Sequence, residues 1–252
     1  MEWLIVSLAG LLAGFVDSVV GGGGLIMVPT LLATFPTAHP AQLFGTTKAG
    51  SIWGTGMATL HYSRRVHMPW HALLPAALAA FVFSWAGAWL VTQISPDYLR
   101  RLLPLVLLLV LGYTVAKKEL GRHHTPTFSG AKETCMVSGL AAAIGFYDGF
   151  FGPGTGSFLV FCLVRFLGYD FLHASAAAKL LNVASNLAAL LLFMVKGYVW
   201  WHFALVIALA NVTGSLLGTH LALKHGTGFV RSMFIAVVSV LILKTSYDAF
   251  LR

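Results

Sequence analysis

GFVDSVVGGGGLIMVP, residues 14–29, sets four consecutive glycines inside a run otherwise apolar enough to be a membrane helix. Each glycine costs a helix interior about 1 kcal/mol relative to alanine, so Gly21, Gly22, Gly23 and Gly24 together break it. Broken backbone at membrane depth is tolerated only where protein or a polar cavity takes up the freed N–H and C=O groups. Asp17 stands one turn ahead of the break. A carboxylate in a membrane span costs about 2.5–3.5 kcal/mol on insertion scales, which makes it a functional-site residue by default. The device returns as GFYDGFFGPGTG, residues 145–156, with Asp148 in the equivalent place.

The composition agrees with a membrane setting. Of 252 residues, 58% are hydrophobic and only 10% charged, against about 25% charged in soluble domains. Apolar stretches long enough to cross about 30 Å of hydrocarbon recur throughout. They lack the ten-residue alternation of a β-barrel. The fold class is an all-α polytopic membrane protein. Glu2 and the missing cleavage site argue against a signal peptide. The 16 Lys and Arg against 8 Asp and Glu are first of all loop charge that sets orientation, and they also create a field favouring an anionic solute. They are scattered among apolar spans, which excludes nucleic-acid binding. Cys135 and Cys162 lack CxxC or metal-ligand spacing and read as small apolar fillers.

Along the chain, residues 4–20 and 25–35 flank the first break, and 41–60 form a helix carrying Lys48. A polar loop (61–68) and two further apolar runs (71–94 and 99–116) follow. Residues 117–132 form a polar linker between a first transmembrane repeat, 1–116, and a second, 133–252. Asp148 lies 131 residues after Asp17 (148 − 17), and Lys179 lies 131 after Lys48 (179 − 48). The same ungapped offset relates Trp70-His71 to Trp201-His202, Gly21 to Gly152, Gly23 to Gly154, and Gly87 to Gly218. The chain is a tandem duplication, each repeat a glycine-broken hairpin plus three transmembrane helices.

Residues 4–35 are too long for one span, since about 20 residues suffice at about 1.5 Å each. A hairpin adds zero or two crossings to the three later helices, so each repeat crosses an odd number of times and the halves are inverted. Loop Lys and Arg counts give the same asymmetry for inverted and parallel repeats and do not choose between them.

Three groups of residues could carry chemistry. Asp17 and Asp148 serve either as proton carriers, burial raising a carboxylate toward the working range, or as caps for N–H groups freed at the breaks. Lys48 and Lys179 lie inside apolar helices with polar neighbours on the following turns: Thr47 and Ser51 in the first, Asn182 and Asn186 in the second. Positions 48, 51 and 55, like 179, 182 and 186, share one helical face. A cation beside hydrogen-bonding groups suits an oxyanion, although snorkelling and close helix packing would use the same residues. The breaks themselves, Gly21 to Gly24 and Gly152, Gly154, Thr155 and Gly156, each precede a short helix and offer N–H groups at its positive end. Neither continues as GK[ST], so no P-loop is present. The Trp-His pairs read as interfacial anchors.

Two intramembrane aspartates could form a protease dyad, but the GxGD pattern is absent, as are HExxH and GxSxG. The chain is therefore read as a non-enzyme without cofactor or metal. Taken together, GFVDSVVGGGGLIMVP, TTKAGSIWG, GFYDGFFGPGTGSF and AAKLLNVASN resemble, in order, the motifs of the sulfite exporter TauE/SafE family, in its YfcA-type branch. Pro153 and Thr155 stand where the first copy has glycines. The resemblance implies a multi-pass transporter of the bacterial inner membrane. It implies a small anionic, sulfur-containing solute such as a sulfite, a sulfonate or sulfoacetate; protons as a coupling ion are read from the two aspartates. An anion channel and a non-transporting interaction protein are the alternatives. Oligomeric state is not legible.

Overall fold

The computed structural model describes residues 1–94 and 125–250, with side-chain surroundings as far as residue 233. The apolar run 99–116 and the linker residues 117–124 lie outside the described residues. Those described form eight helices and no strands: α1 Glu2–Val20, α2 Gly23–Thr34, α3 Pro40–Ser63, α4 Trp70–Val91, α5 Gly130–Phe150, α6 Thr155–Leu167, α7 Phe171–Val195 and α8 Trp201–Phe250. Gly226 interrupts α8, at φ 68° and ψ −160°. Four helical stretches are long and apolar enough to cross a membrane: α1, α4, α7 and Trp201–Met233 of α8. On α4 and α8 many large apolar side chains are exposed, among them Leu74, Leu78, Val82, Leu205 and Leu209. The buried polar ones gather inside, with Lys48, Asp148, Lys179 and Asn182 among them. Apolar outside and polar within is the arrangement a lipid solvent demands.

Local sequence sets the helix ends. Pro40 opens α3 behind the His39 cap, whose ring Nδ1 accepts the Ala41 N–H at 3.1 Å. Asp170 caps α7 by accepting the His173 N–H at 2.9 Å. The loop expected to begin at residue 61 begins later, because α3 continues to Ser63. Trp70 and Trp201 open α4 and α8, both partly exposed.

The first break is a reversal. Gly21 takes φ 70° and Gly22 φ 123°, conformations that a residue with a Cβ avoids. The chain then turns back, so that Gly23 rests against Ala13 and Asp17. Met27 and Leu31 return alongside Val6, Ala9 and Ala13. The return leg, α2, has 12 residues, about 18 Å at 1.5 Å each, which is a re-entrant rather than a spanning length. The second break repeats this, with Gly152 at φ 89° and Gly154 at φ 85°, and α6 packs back on α5 through Val160 and Val164 beside Val137 and Ala141.

Helix α1 packs on α8, α4 on α5, and α3 lies against both α7 and α8. Glycines bring these backbones together. A Cβ at Gly14 would stand 2.2 Å from the Asn211 carbonyl oxygen, and one at Gly145 would stand 2.7 Å from that of Ala80. At Gly87 it would meet the Phe146 oxygen at 2.1 Å, and at Gly218 the Phe15 oxygen at 2.5 Å. Ser84 donates to the Ser185 carbonyl at 2.7 Å, and Ser215 donates to the Gly54 carbonyl at 2.6 Å. Each of these contacts maps onto its companion when 131 is added to one partner and subtracted from the other.

The two ends of the bundle differ. The chain leaving α2 places Phe35 against Trp200 and Phe203, near where α4 ends, its Val91 clustering with Phe44, Phe193 and Tyr198. The chain leaving α6 pairs with Thr125 and Thr127 and sets Tyr169 beside the start of α4. There the Tyr169 hydroxyl donates to buried Glu133 at 2.5 Å, and His71 Nε2 lies 3.2 Å from the same carboxylate. Burial first, then the Glu133 carboxylate, pushes the Tyr169 phenol above its ordinary range. Cys135, expected as a filler, is exposed.

Candidate functional site

The two glycine breaks meet. A Cβ at Gly21 would stand 2.2 Å from the Gly156 carbonyl carbon, and one at Gly24 would stand 3.2 Å from Pro153 Cα. The carbonyls freed at the end of α1 are taken up by hydroxyls from other helices. Tyr62 donates to Ser18 at 3.0 Å, Ser175 to Val19 at 2.9 Å, and Ser157 to Gly21. At the second break Tyr147 donates to the Pro153 carbonyl at 2.5 Å and Thr155 to that of Gly152 at 2.8 Å. This is the satisfaction that broken backbone needs in an apolar setting.

Each lysine reaches the carboxylate of the other half. Lys48 Nζ lies 2.6 Å from Asp148 Oδ1 and donates to Asn186 Oδ1 at 2.7 Å. Lys179 Nζ lies 3.4 Å from Asp17 Oδ2. Asp17 Oδ2 also accepts the Thr55 hydroxyl at 3.2 Å, while its Oδ1 accepts the Gly22 N–H at 3.3 Å. Asp17 thus does cap the break as well as pair with a lysine. The aspartates face opposing lysines, which is not the geometry of a proton-sharing dyad.

Between the breaks and α3, α7 and α8 lies a cavity with about 40 Å³ of room for water-molecule centres, where a single water needs about 10–15 Å³. Its size suits a guest of a few heavy atoms. Gly22, Gly23, Gly24, Thr47, Lys48 and Ser51 line it from the first half. Gly152, Gly154, Thr155, Gly156, Asn182 and Asn186 line it from the second, and Asp17 and Asp148 also face it. Two expected residues stand elsewhere. Gly21 is covered by Gly156 and Ser157, and Lys179 is wholly buried behind the wall. Apolar wall comes from Met27, Phe44, Phe151 and Ile207. Asn211 on α8 lines the cavity too, donating to the Gly10 carbonyl at 3.3 Å. Its position under the 131-residue offset holds apolar Ala80 (211 − 80), so the repeat does not point to it, although an asparagine within IALANVTG is itself a signal.

A helical membrane protein with a buried, doubly charged cavity at broken helices has the architecture of a solute carrier. The sulfite exporter TauE/SafE family model matches residues 6–245. The probable membrane transporter protein YfcA of Escherichia coli K12 is 34% identical over 245 residues, 97% of this chain and 90% of its own length. The probable membrane transporter protein ORF9 of a Sinorhizobium species is 35% identical over 241 residues, 95% of this chain and 90% of its own. A probable membrane transporter protein of Haemophilus influenzae is 31% identical over 246 residues, covering 97% and 94%. No solved structure matches the chain. The chain belongs to the TauE/SafE family of membrane transporters and is a multi-pass protein of the bacterial inner membrane.

Proposed function

We propose that the protein is a secondary transporter of a small, sulfur-containing anion, a sulfite, sulfonate or related organic oxyanion, bound in the cavity between the two glycine breaks. The observation that carries this reading is Lys48, a buried ammonium lining a small cavity beside Asn186, Asn182 and two sets of glycine-break backbone. Buried cations with convergent donors suit oxyanions, and the family description names sulfite. The sequence holds no ATP-binding motif, so a gradient drives transport or it is facilitated.

The proposal includes residues 1–116 and 133–252 as homologous repeats in inverted orientation. Contacts that exchange under the 131-residue offset support the repeat. The positions of the chain leaving α2 and α6, at opposite ends of the bundle, support the inversion.

Proton coupling through Asp17 and Asp148 remains part of the proposal, with a condition. Both carboxylates are held by lysines here, so a pair must part before either is free to act as a carrier. Flux in proteoliposomes under an imposed pH gradient tests this. Coupling predicts that Asp148→Asn abolishes the gradient dependence while leaving some exchange. Flux indifferent to the gradient in wild type and variants leaves the aspartates a structural role only.

The site is tested by calorimetry on the purified protein with a panel of sulfur oxyanions, carboxylates and cations. Binding of at least one sulfur oxyanion, weakened by Lys48→Gln, supports the reading. An unaltered affinity in Lys48→Gln removes the lysine from the site.

A further inference from the structure

The two lysine–carboxylate pairs are unequal, and the inequality describes the guest. Asp17 is fully engaged: the Gly22 N–H, the Thr55 hydroxyl and Lys179 occupy both its oxygens. Asp148 is 2% exposed, lines the cavity and meets Lys48 through Oδ1. Its Oδ2 is buried and has no hydrogen-bond partner among the described residues.

The sequence explains the difference. Pro153 stands 131 residues after Gly22 (153 − 22), and proline has no N–H to offer. The counterpart of Thr55 is Asn186 (186 − 55), which spends its Oδ1 accepting from Lys48 rather than donating to the carboxylate. Neither counterpart therefore donates to the carboxylate in the second half, as both do in the first. An ionised, buried oxygen without a donor is costly, and a guest that supplies one recovers that cost. Lys48 has three N–H donors, of which Asp148 and Asn186 take two. One remains for an anionic oxygen. The Lys48–Asp148 pair is neutral as a whole and offsets no net charge on the guest, so each further negative charge adds repulsion from Asp148.

Resting on the reading of this cavity as an anion site, we infer that the ligand is a monoanion carrying its own hydrogen-bond donor, an O–H or N–H beside the anionic oxygens. Asp148 reads that donor and Lys48 reads the charge. Singly protonated oxyanions and amino-bearing sulfur oxyanions belong to this class; fully deprotonated dianions and alkyl sulfonates, which bring no donor, bind more weakly.

Sulfamate and methanesulfonate make the test, because they are monoanions of the same shape and differ in presenting N–H or C–H groups. Titrated calorimetrically into the wild-type protein, sulfamate is expected to bind about tenfold tighter or more, the worth of a hydrogen bond to a charged group. Asp148→Asn should close that gap, with a cooperative melting transition in detergent showing that the variant is folded. Equal affinities in the wild type overturn the inference and leave the anion site standing. A preference that survives in Asp148→Asn also overturns it. Binding of neither probe, nor of any other anion, overturns the site reading and the inference with it. Should Asp148→Asn fail to fold, the wild-type ratio decides alone.

Discussion

Removing the Lys48 ammonium is the perturbation whose size the structure fixes best. Asp148 is 2% exposed, and Lys48, 2.6 Å away, is the one group that compensates it among the described residues. Breaking a buried pair by deleting one partner costs about 3–5 kcal/mol, because a charge is left buried and uncompensated. Lys48→Met should therefore lower stability by about that amount. At roughly 2–4 °C per kcal/mol for a chain of this size, the melting point falls by about 6–20 °C. Lys179→Met should cost less, since Asp17 keeps the Gly22 N–H and the Thr55 hydroxyl. Asp148→Asn in the Lys48→Met background removes the orphaned charge and should recover much of the loss. Intrinsic-fluorescence melting of the wild type, Lys48→Met, Asp148→Asn and the double variant in detergent closes the double-mutant cycle, with Lys179→Met melted alongside. Losses that add within about 0.5 kcal/mol would refute the pairing, and an equal loss in Lys179→Met would refute the inequality of the halves.

Gly21→Ala and Gly156→Ala should each abolish monodisperse folded protein in size-exclusion chromatography, because their Cβ atoms would fall 2.2 and 2.6 Å from backbone of the opposite break. Gly56→Ala, with nothing within 4 Å, should behave as wild type. The Tyr169 phenol, raised in the folded protein, keeps its proton while the unfolded chain gives its own up near pH 10. Its stabilising contribution is complete below that pH and declines as pH rises beyond it. Melting points between pH 9 and 11 should fall less steeply in Tyr169→Phe than in wild type. For the inversion, exposed Thr37→Cys and Lys132→Cys, each in a Cys135→Ser background, should react with impermeant thiol reagents from opposite faces of the membrane. Labelling from one face sinks it.

The fold class was legible because apolar length is a local property, and the 131-residue offset brought out Asp17, Asp148, Lys48 and Lys179 as members of one set. Which lysine meets which carboxylate was not legible. Lys48 binds Asp148 rather than Asp17 because α3 approaches the second break, and that choice belongs to helix packing, not to spacing along α3. Lys179 satisfies the same periodicity as Asn182 and Asn186 yet sits behind the cavity wall, since a helical face is broader than the opening it borders. Gly21, whose N–H the glycine run offers, is a packing residue covered by the other break. The Tyr169–Glu133–His71 contacts join three distant segments at one end of the bundle and left no periodic trace.

Counterflow of radiolabelled sulfite in proteoliposomes containing the purified protein tests the central claim most directly, with unlabelled sulfite loaded inside. The account predicts saturable, transient accumulation of label against its own gradient, which a channel cannot produce, and its loss in Lys48→Gln reconstituted to the same density. Absence of exchange in the wild type, or undiminished exchange in Lys48→Gln, would contradict it.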